Sequence, residues 1–224
     1  EYMQGFPKDW TNPDIAMKPP ARRLNNRLKA IDLFSGVGGL TLASDHFLET
    51  IMYCDNDASA CKVLEARMAD GSIDKAPIHS DVCTLDATSL EADVDVVIGG
   101  FPCQDISLIG KRKGFEGAKS VLFFQLMRIV RESNAKVIIL ENVKGIVSCA
   151  GGGLFKEIQN EMDSAGYDFK FVIVEACHAG APHHRARFFL IALRRDLIPI
   201  PTKASVRVPP NISHDPFWDT PFPP

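Results

Sequence analysis

Short hydrophobic runs alternate with amphipathic segments along most of the chain, which is the pattern of repeated strand–helix–strand units. The hydrophobic runs predict strands over residues 30–34, 50–54, a short stretch ending near 79, 94–98, 137–140, 169–175 and 187–193. The amphipathic segments predict helices over residues 40–47, 59–68, 122–132 and 155–165. No helical segment separates the last two strands, so we expect them to form a hairpin-like pair.

This alternation predicts an α/β fold, a doubly wound and mostly parallel sheet with helices on both faces. In such sheets, ligands bind outside the carboxyl ends of the strands. The glycine-rich and polar motifs of this chain follow predicted strand ends, so we expect one composite site along that edge of the sheet. From Ile198 onward the chain is rich in proline, which indicates an extended segment.

Composition and charge narrow the class of protein. The chain has 224 residues, 46% hydrophobic and 24% charged, which suits one sizeable globular domain. No apolar stretch approaches the roughly 20 residues of a membrane span, and the start lacks a signal-peptide pattern, so we expect no membrane partner. The net charge of −3 argues weakly against a nucleic-acid partner. The basic residues nevertheless form local groups suited to phosphate contacts: Arg22, Arg23, Arg27 and Lys29; Lys111, Arg112 and Lys113; Arg194 and Arg195.

The six cysteines are scattered without Cys-x-x-Cys spacing. This predicts neither a disulfide framework nor a zinc site and favours a reducing intracellular compartment. Three histidines lie near Cys177 in the sequence, but their spacing fits no standard metal site: His178, His183 and His184. We therefore expect no metal.

A glycine-rich turn follows the first predicted strand, in the segment Phe34-Ser35-Gly36-Val37-Gly38-Gly39. Such a turn lets a ligand approach the backbone, although a tight strand–helix connection explains it equally well. Asp55 follows the second strand, about 20 residues on, where an acidic side chain can hold ribose hydroxyls. Asp81 follows the third strand and could accept from an adenine amino group or serve as a turn residue.

Two later strand ends carry reactive side chains. Pro102-Cys103 follows the run at 94–98, and Glu141 follows the run at 137–140. A thiolate can add to an electron-poor ring, and a carboxylic acid can hydrogen-bond that ring and make it more electrophilic. A free cysteine is more often a small buried hydrophobe, and a strand-end glutamate can be a helix cap or an ion-pair partner. Arg185 and Arg187 precede the last strand, and their planar donor forks suit a base carbonyl or a phosphate.

Together these segments resemble the cytosine-C5 DNA methyltransferase family, whose members transfer a methyl group from S-adenosylmethionine to carbon 5 of cytosine. The resemblance runs from residue 30 to about 193 and implies the Rossmann-like fold of S-adenosylmethionine-dependent methyltransferases. It implies cofactor contacts at ten positions: Phe34, Ser35, Gly36, Gly38, Gly39, Asp55, Asn56, Asp81, Val82 and Pro102. Asn56 stands where the family often has a bulky residue over the adenine.

The resemblance also implies the catalytic roles. Cys103 would attack C6 of the cytosine, Glu141 would contact N3 and the exocyclic amine, and Arg185 and Arg187 would hold the base or its phosphate. A base inside double-stranded DNA must be flipped out to reach these groups, and residues 110–119 resemble the mobile loop that closes over it. His183 and Ala186 replace a glutamine and a glutamate of the family pattern.

The resemblance divides the chain into three segments. Residues 29–197 form the catalytic domain, and residues 198–224 begin a missing or truncated target-recognition region. Residues 1–28 resemble the family segment that follows the recognition domain, an order like that of the permuted domains-rearranged methyltransferases, unless the Gly-Phe-Pro match is chance.

Two alternative functions stay open, an RNA (tRNA) cytosine-C5 methyltransferase and a catalytically silent regulatory subunit. We expect double-stranded DNA as substrate, and a partner subunit could supply the missing recognition region. The expected location is the nucleus in a eukaryote, or the cytoplasm with its nucleoid otherwise.

Overall fold

The computed structural model describes residues 8–9, 11–17, 23–102, 120–179 and 181–197, and its centre is a seven-stranded sheet. The strands run in the spatial order β3-β2-β1-β4-β5-β7-β6. Their bounds are β1 Leu28–Leu33, β2 Leu48–Cys54, β3 Ile78–His79, β4 Val96–Gly99, β5 Val137–Val143, β6 Tyr167–Glu175 and β7 Ala186–Arg194. Strands β1 to β5 are parallel, whereas β7 is antiparallel to both β5 and β6. The predictions of a mostly parallel sheet and of a closing antiparallel pair are confirmed.

In the described residues, four α-helices connect the strands, and their first residues show what starts them. They are α1 Gly39–Ser44, α2 Ala58–Ala69, α3 Ser120–Ser133 and α4 Gly153–Ser164. The side chain of Asp57 caps α2 by accepting from the backbone N–H groups of Ser59 and Ala60. Gly152 precedes α4 with a left-handed φ of 87°, which glycine adopts without steric cost.

Both faces of the sheet are covered, as the doubly wound prediction requires. On one face, Leu33 of β1 and Ile138 of β5 pack in a cluster with Leu126 of α3 and Ile158 of α4. On the other face, the alternate strand residues Ala30, Val96 and Ile98 pack near Leu40 of α1. Because neighbouring strand residues point to opposite faces, the near-continuous hydrophobic runs of the sequence are buried on both sides.

The structure moves several predicted boundaries. Helix α1 ends at Ser44 instead of residue 47, since residues 45–47 form a turn that leads directly into β2 at Leu48. Strand β5 extends to Val143 instead of ending at residue 140, because β7 pairs with it as far as the Val143–Arg187 partners. Glu141 therefore lies within β5 and not after it. No helix in the described part of the chain is long and apolar enough to cross a membrane.

Residues 11–17 pack against α2 through Arg67, a side chain with no exposed surface. Its Nη2 donates to the carbonyls of Asn12 and Ile15 at 2.6 and 2.7 Å, and its Nη1 lies 2.7 Å from Asp70 Oδ2. The backbone N–H of Met17 donates to the same Asp70 oxygen at 2.8 Å. This segment is thus fixed to α2 and the residue that follows it. The three-segment division of the chain remains a prediction, and its last segment from residue 198 lies outside the described residues.

Candidate active site

The glycine-rich turn after β1 has an unusual backbone that its side chains hold in place. Phe34, Gly36 and Gly38 have positive φ values of 56°, 54° and 83°. The hydroxyl of Ser35 donates to the carbonyl of Asp32 at 2.7 Å and accepts from the backbone N–H of Cys54 at 3.1 Å. The turn is therefore tied to the end of β2, and Gly39 begins α1 directly behind it.

Asp55 connects the second strand end to this turn. Its Oδ2 accepts from the backbone N–H of Gly36 at 2.7 Å, and its Oδ1 accepts from the N–H of Asp57 at 2.8 Å. A carboxylate has about four lone-pair positions, so each oxygen keeps capacity for a further donor. The neighbouring Asn56 is exposed. Around Gly36 the space is open, since a Cβ atom built there would meet nothing within 4 Å.

Asp32 lies beneath the turn and is almost fully buried, with 1% exposure. Thr41 donates to its Oδ2 at 2.6 Å, whereas its Oδ1 is buried and has no hydrogen-bond partner among the described residues. Burial raises the pKa of Asp32 to about 7, the nearby charge of Asp55 adds to that rise, and the Thr41 hydroxyl opposes it. No sequence pattern assigned a role to Asp32.

Asp81 and Val82 follow β3 on a loop that an arginine of α3 holds. Asp81 is exposed, and its Oδ1 accepts from the backbone N–H of Cys83 at 2.9 Å. The side chain of Val82 is buried in the core, and its carbonyl accepts from Arg128 Nη2 at 2.7 Å. Arg128 also donates to the carbonyl of Leu85 at 2.8 Å. Sequence reasoning missed Arg128, and its spacing of four residues from Glu132 on a helix was the one available signal.

The ends of β4 and β5 are joined by Asn142. Its Nδ2 donates to the carbonyl of Phe101 at 2.9 Å, and its Oδ1 accepts from the N–H of Val143. The ring of Phe101 packs against Phe123, with centroids 5.2 Å apart. This fixes the chain up to Pro102 beside β5. Cys103, the predicted nucleophile, and the predicted loop over residues 110–119 lie outside the described residues.

Glu141 and Arg187 form an ion pair, with 2.7 Å between Oε1 and Nε. Phe189 lies opposite Glu141 in the antiparallel register, and Arg187 lies two residues before it, so both side chains project from the same face. The other carboxylate oxygen, Oε2, would lie only 3.2 Å from a Cβ atom at position 100, where the chain has Gly100. That oxygen is therefore directed toward the segment that leads to Cys103.

Burial and the neighbouring cations have opposite effects on the pKa of Glu141. Burial raises the pKa of Glu141, while the charges of Arg187 and then Arg185 oppose the rise. The side chains of Glu141 and Arg187 keep 28% and 22% of their surface exposed, so the pair is open to a ligand. Arg185 is exposed on the segment before β7. The structure thus brings Glu141 and Arg187 into contact, with Arg185 close enough for its charge to act on Glu141.

Comparison with known proteins identifies the family. The sequence model of the C-5 cytosine-specific DNA methylase family matches residues 28–217, which is most of the chain. This chain belongs to that family. The resemblance inferred from the sequence motifs is thereby confirmed.

Curated relatives include two bacterial type II methyltransferases. M.HhaI from Haemophilus parahaemolyticus is 34% identical over 171 residues, which cover 76% of this chain and 50% of the relative. M.Eco47II from Escherichia coli is 34% identical over 175 residues, covering 77% of this chain and 41% of the relative. The chain spans about half the length of these relatives.

A solved structure supports the fold. The Entamoeba histolytica methyltransferase EhMeth superimposes with a TM-score of 0.62 at 22% identity, covering 82% of this chain and 56% of that one. At this level of identity the likeness concerns the fold alone, and it agrees with the Rossmann-like methyltransferase class that the sequence predicted.

Proposed function

We propose that this chain carries the catalytic centre of a DNA cytosine-C5 methyltransferase, which transfers a methyl group from S-adenosylmethionine to carbon 5 of cytosine. The observation that carries the proposal is the half-open Glu141–Arg187 pair, whose second carboxylate oxygen is directed toward the strand end that leads to Cys103. The family membership supports the same reaction.

The strand ends on the other side of β4 fit the cofactor. The open space beside Gly36 and the spare lone pairs of Asp55 suit ribose hydroxyls next to a close backbone approach. The exposed carboxylate of Asp81, which accepts one backbone N–H at Oδ1, suits an adenine amino group. The residues that would hold S-adenosylmethionine are Phe34, Ser35, Gly36, Gly38, Gly39, Asp55, Asn56, Asp81, Val82 and Pro102. When bound, it supplies an electrophilic methyl group.

The chain's own residues would act on the cytosine in a fixed order. The Cys103 thiolate adds to C6, forming the Sγ–C6 bond, while the ring electrons shift toward C5. Protonated Glu141 donates to N3 and stabilises the negative charge that this addition creates. After C5 has taken the methyl group, a base removes the proton bonded to C5. The Sγ–C6 bond then breaks, which restores the aromatic ring.

Arg187 would position Glu141 in this reaction. The guanidinium holds Oε1 at 2.7 Å, which leaves Oε2 to meet the base. The raised pKa of Glu141 keeps a larger fraction protonated than at an exposed glutamate, despite the neighbouring cations. Exposed Arg185 is free to contact a base carbonyl or a phosphate. We place the substrate in double-stranded DNA, with the protein acting in the nucleus or on the nucleoid.

The experiment is covalent trapping on 5-fluorocytosine, whose C5 fluorine cannot leave as a proton does. Incubation of the chain with S-adenosylmethionine and duplex DNA containing 5-fluorocytosine should give a protein–DNA adduct on a denaturing gel. Cys103→Ser should abolish the adduct, while the matched control Cys149→Ser should retain it. Trapping on an RNA oligonucleotide alone would replace DNA with RNA as the substrate. An adduct that survives Cys103→Ser, or no adduct on either nucleic acid, would contradict the proposal.

A further inference from the structure

Three side chains with metal-binding atoms converge where β6 ends and β7 begins. Glu175 is the last residue of β6, Cys177 lies in the short 3₁₀ turn Ala176–Ala179, and His184 precedes β7. Cys177 Sγ lies 3.5 Å from His184 Nδ1 and 3.6 Å from Glu175 Oε2, and the latter two atoms are 2.9 Å apart. We propose that these three residues bind a zinc ion, at a site separate from the methyl-transfer centre.

The distances are close to those that a shared ion requires. Zinc–sulfur bonds of about 2.3 Å and zinc–nitrogen or zinc–oxygen bonds of about 2.0–2.1 Å, at tetrahedral angles, separate sulfur from nitrogen or oxygen by roughly 3.6 Å and nitrogen from oxygen by roughly 3.4 Å. Both sulfur distances already match. The nitrogen–oxygen distance of 2.9 Å must open by about half an ångström, a small side-chain movement.

The backbone fixes the three positions. Glu175 pairs with Ala186 in the β6–β7 ladder. The N–H of Ala176 donates to the carbonyl of Arg185 at 3.0 Å, and the N–H of Ala181 donates to the carbonyl of Ala176 at 3.0 Å. These main-chain hydrogen bonds hold Ala176, which lies between Glu175 and Cys177, against both Arg185 and Ala181. The third donor, Glu175, belongs to a strand and joins Cys177 and His184 only through sheet pairing, which is why the spacing of the histidines near Cys177 fits no standard metal site.

The donor set selects the class of ion. A thiolate, an imidazole and a carboxylate together suit zinc, whereas magnesium and calcium prefer oxygen donors alone. The two anionic donors balance the double positive charge of the ion. Three protein ligands leave a fourth tetrahedral position for water, and the exposed His184 ring lets an ion enter from solvent. On binding, the ion forms bonds to Cys177 Sγ, His184 Nδ1 and a Glu175 oxygen. The Cys177 thiol proton passes to solvent, and the proton in the hydrogen bond between Nδ1 and Glu175 leaves Nδ1 through solvent, so that the ring binds as a neutral imidazole protonated at Nε2.

An ion at this site would tie the end of β6 to the segment that carries Arg185 and Arg187. The same three residues that would bind it are neither in contact with Glu141 nor among the predicted cofactor residues. Zinc binding is therefore measurable whether or not the methyl-transfer proposal holds.

Cobalt(II) is the spectroscopic probe for the test, used with the full chain after treatment with a chelator. Tetrahedral coordination with one thiolate predicts a near-ultraviolet sulfur-to-cobalt charge-transfer band together with intense visible ligand-field bands, and zinc should displace both. Zinc should also raise the melting temperature of the wild-type chain, since an ion that binds only the folded state stabilises it.

Single substitutions assign the ligands. Cys177→Ser should remove the charge-transfer band and the zinc-dependent rise in melting temperature. His184→Gln and Glu175→Gln should weaken cobalt binding at least about tenfold, since even the loss of a residue that only supports a ligand costs 10–100-fold. The control is Cys83→Ser, which removes an exposed thiol elsewhere and should leave the spectrum unchanged.

Either of two results would overturn the proposal. One is a wild-type chain that shows no charge-transfer band and no zinc-dependent stabilisation. The other is a band that persists in Cys177→Ser, which would assign the metal to a different thiol.

Discussion

The two ends of the site are built in different ways. On the proposed cofactor side, at the ends of β1, β2 and β3, carboxylates accept backbone N–H groups, as Asp55 does from Gly36. On the proposed base side, at the ends of β4, β5 and β7, the central contact is an ion pair between Glu141 and Arg187, which are far apart in sequence. The first arrangement is fixed mainly by turns, and the second depends on the register of an antiparallel strand pair.

The two regions should therefore respond differently to substitution. A carboxylate that organises backbone amides can be partly replaced by another acceptor, because the backbone remains in place. When one member of a partly buried ion pair is removed, the charge of the remaining member is left uncompensated. We therefore expect base-side substitutions to affect the reaction rate most and cofactor-side substitutions to affect cofactor affinity.

The largest effect is expected for Glu141→Gln. The amide retains the shape but cannot give a proton to N3, and general acid–base groups typically contribute about 10²–10⁴-fold in rate. The turnover rate on duplex DNA should fall by that factor, measured by transfer of a radioactive methyl group. Exposed Glu65 on α2 provides the control, and Glu65→Gln should keep the wild-type rate. A Glu141→Gln variant within a factor of two of wild type would remove Glu141 from the mechanism.

The pH dependence of the turnover rate provides a second test of Glu141 as the proton donor. Because burial raises the pKa of Glu141, its protonated form persists to higher pH than at an exposed glutamate and is lost as the pH rises. We expect the wild-type turnover rate to decrease on the alkaline side through this group, and the decrease to be absent in Glu141→Gln. The pH profiles of the two proteins, measured at saturating cofactor, check this expectation. Profiles of the same shape would contradict it.

On the cofactor side, Asp55→Ala should weaken S-adenosylmethionine binding by roughly 10–100-fold, since hydrogen bonds to a charged group contribute about 1.5–3 kcal/mol. Asp55→Asn should lose less, because its amide oxygen still accepts one N–H. Isothermal titration calorimetry measures both affinities. The exposed Asp93 supplies a control through Asp93→Ala. Equal losses for the alanine and asparagine variants would mean that the negative charge, and not the acceptor geometry, holds the ligand.

Strand β4 is expected to tolerate little change at Gly99. A Cβ atom there would lie 3.0 Å from the backbone oxygen of Leu33 and 3.2 Å from Leu126 Cδ1. Gly99→Ala should therefore lower the free energy of unfolding by about 1–3 kcal/mol, measured by denaturant titration. Gly145→Ala is the matched control, since its added methyl group would meet nothing within 4 Å. If the two variants had the same free energy of unfolding, β4 would have to be more deformable than its packing implies.

The sequence predicted which residues lie at strand ends better than it predicted contacts between distant strands, and the reason is physical. The glycine turn, Asp55 and Asp81 each follow a hydrophobic run, so the position of a strand end was enough to place them. The contact of Glu141 with Arg187 depends on which strand neighbours β5, and hydrophobic periodicity does not encode that choice. The same limit hid the support of Val82 by Arg128, which joins a loop to a helix more than 40 residues away.

Errors in the predicted boundaries have a similar origin. The run of apolar residues in β5 stops at Leu140, yet the strand continues through Glu141 because the antiparallel partner supplies hydrogen bonds as far as Arg187. Helix α1 stops at Ser44 and not at the predicted residue 47, because the next residue, Asp45, is buried and its Oδ2 accepts a hydrogen bond from Arg23 Nε at 2.8 Å. In both places tertiary contacts outweighed the local pattern.

Asp32, beneath the glycine turn, should make the free energy of unfolding depend on pH, and per pH unit this is the smallest of the expected effects. Burial raises the pKa of this carboxyl to about 7, so the folded chain keeps a proton that an unfolded chain releases near pH 4. Its contribution to stability is complete below about pH 4 and is lost as the pH rises to about 7, at no more than about 1.4 kcal/mol per pH unit. Asp32→Asn does not titrate, so its free energy of unfolding should fall less than that of wild type over this range. Denaturant titrations of both proteins from pH 5 to pH 8 measure the difference, and parallel curves would mean that Asp32 is already ionised in the folded chain.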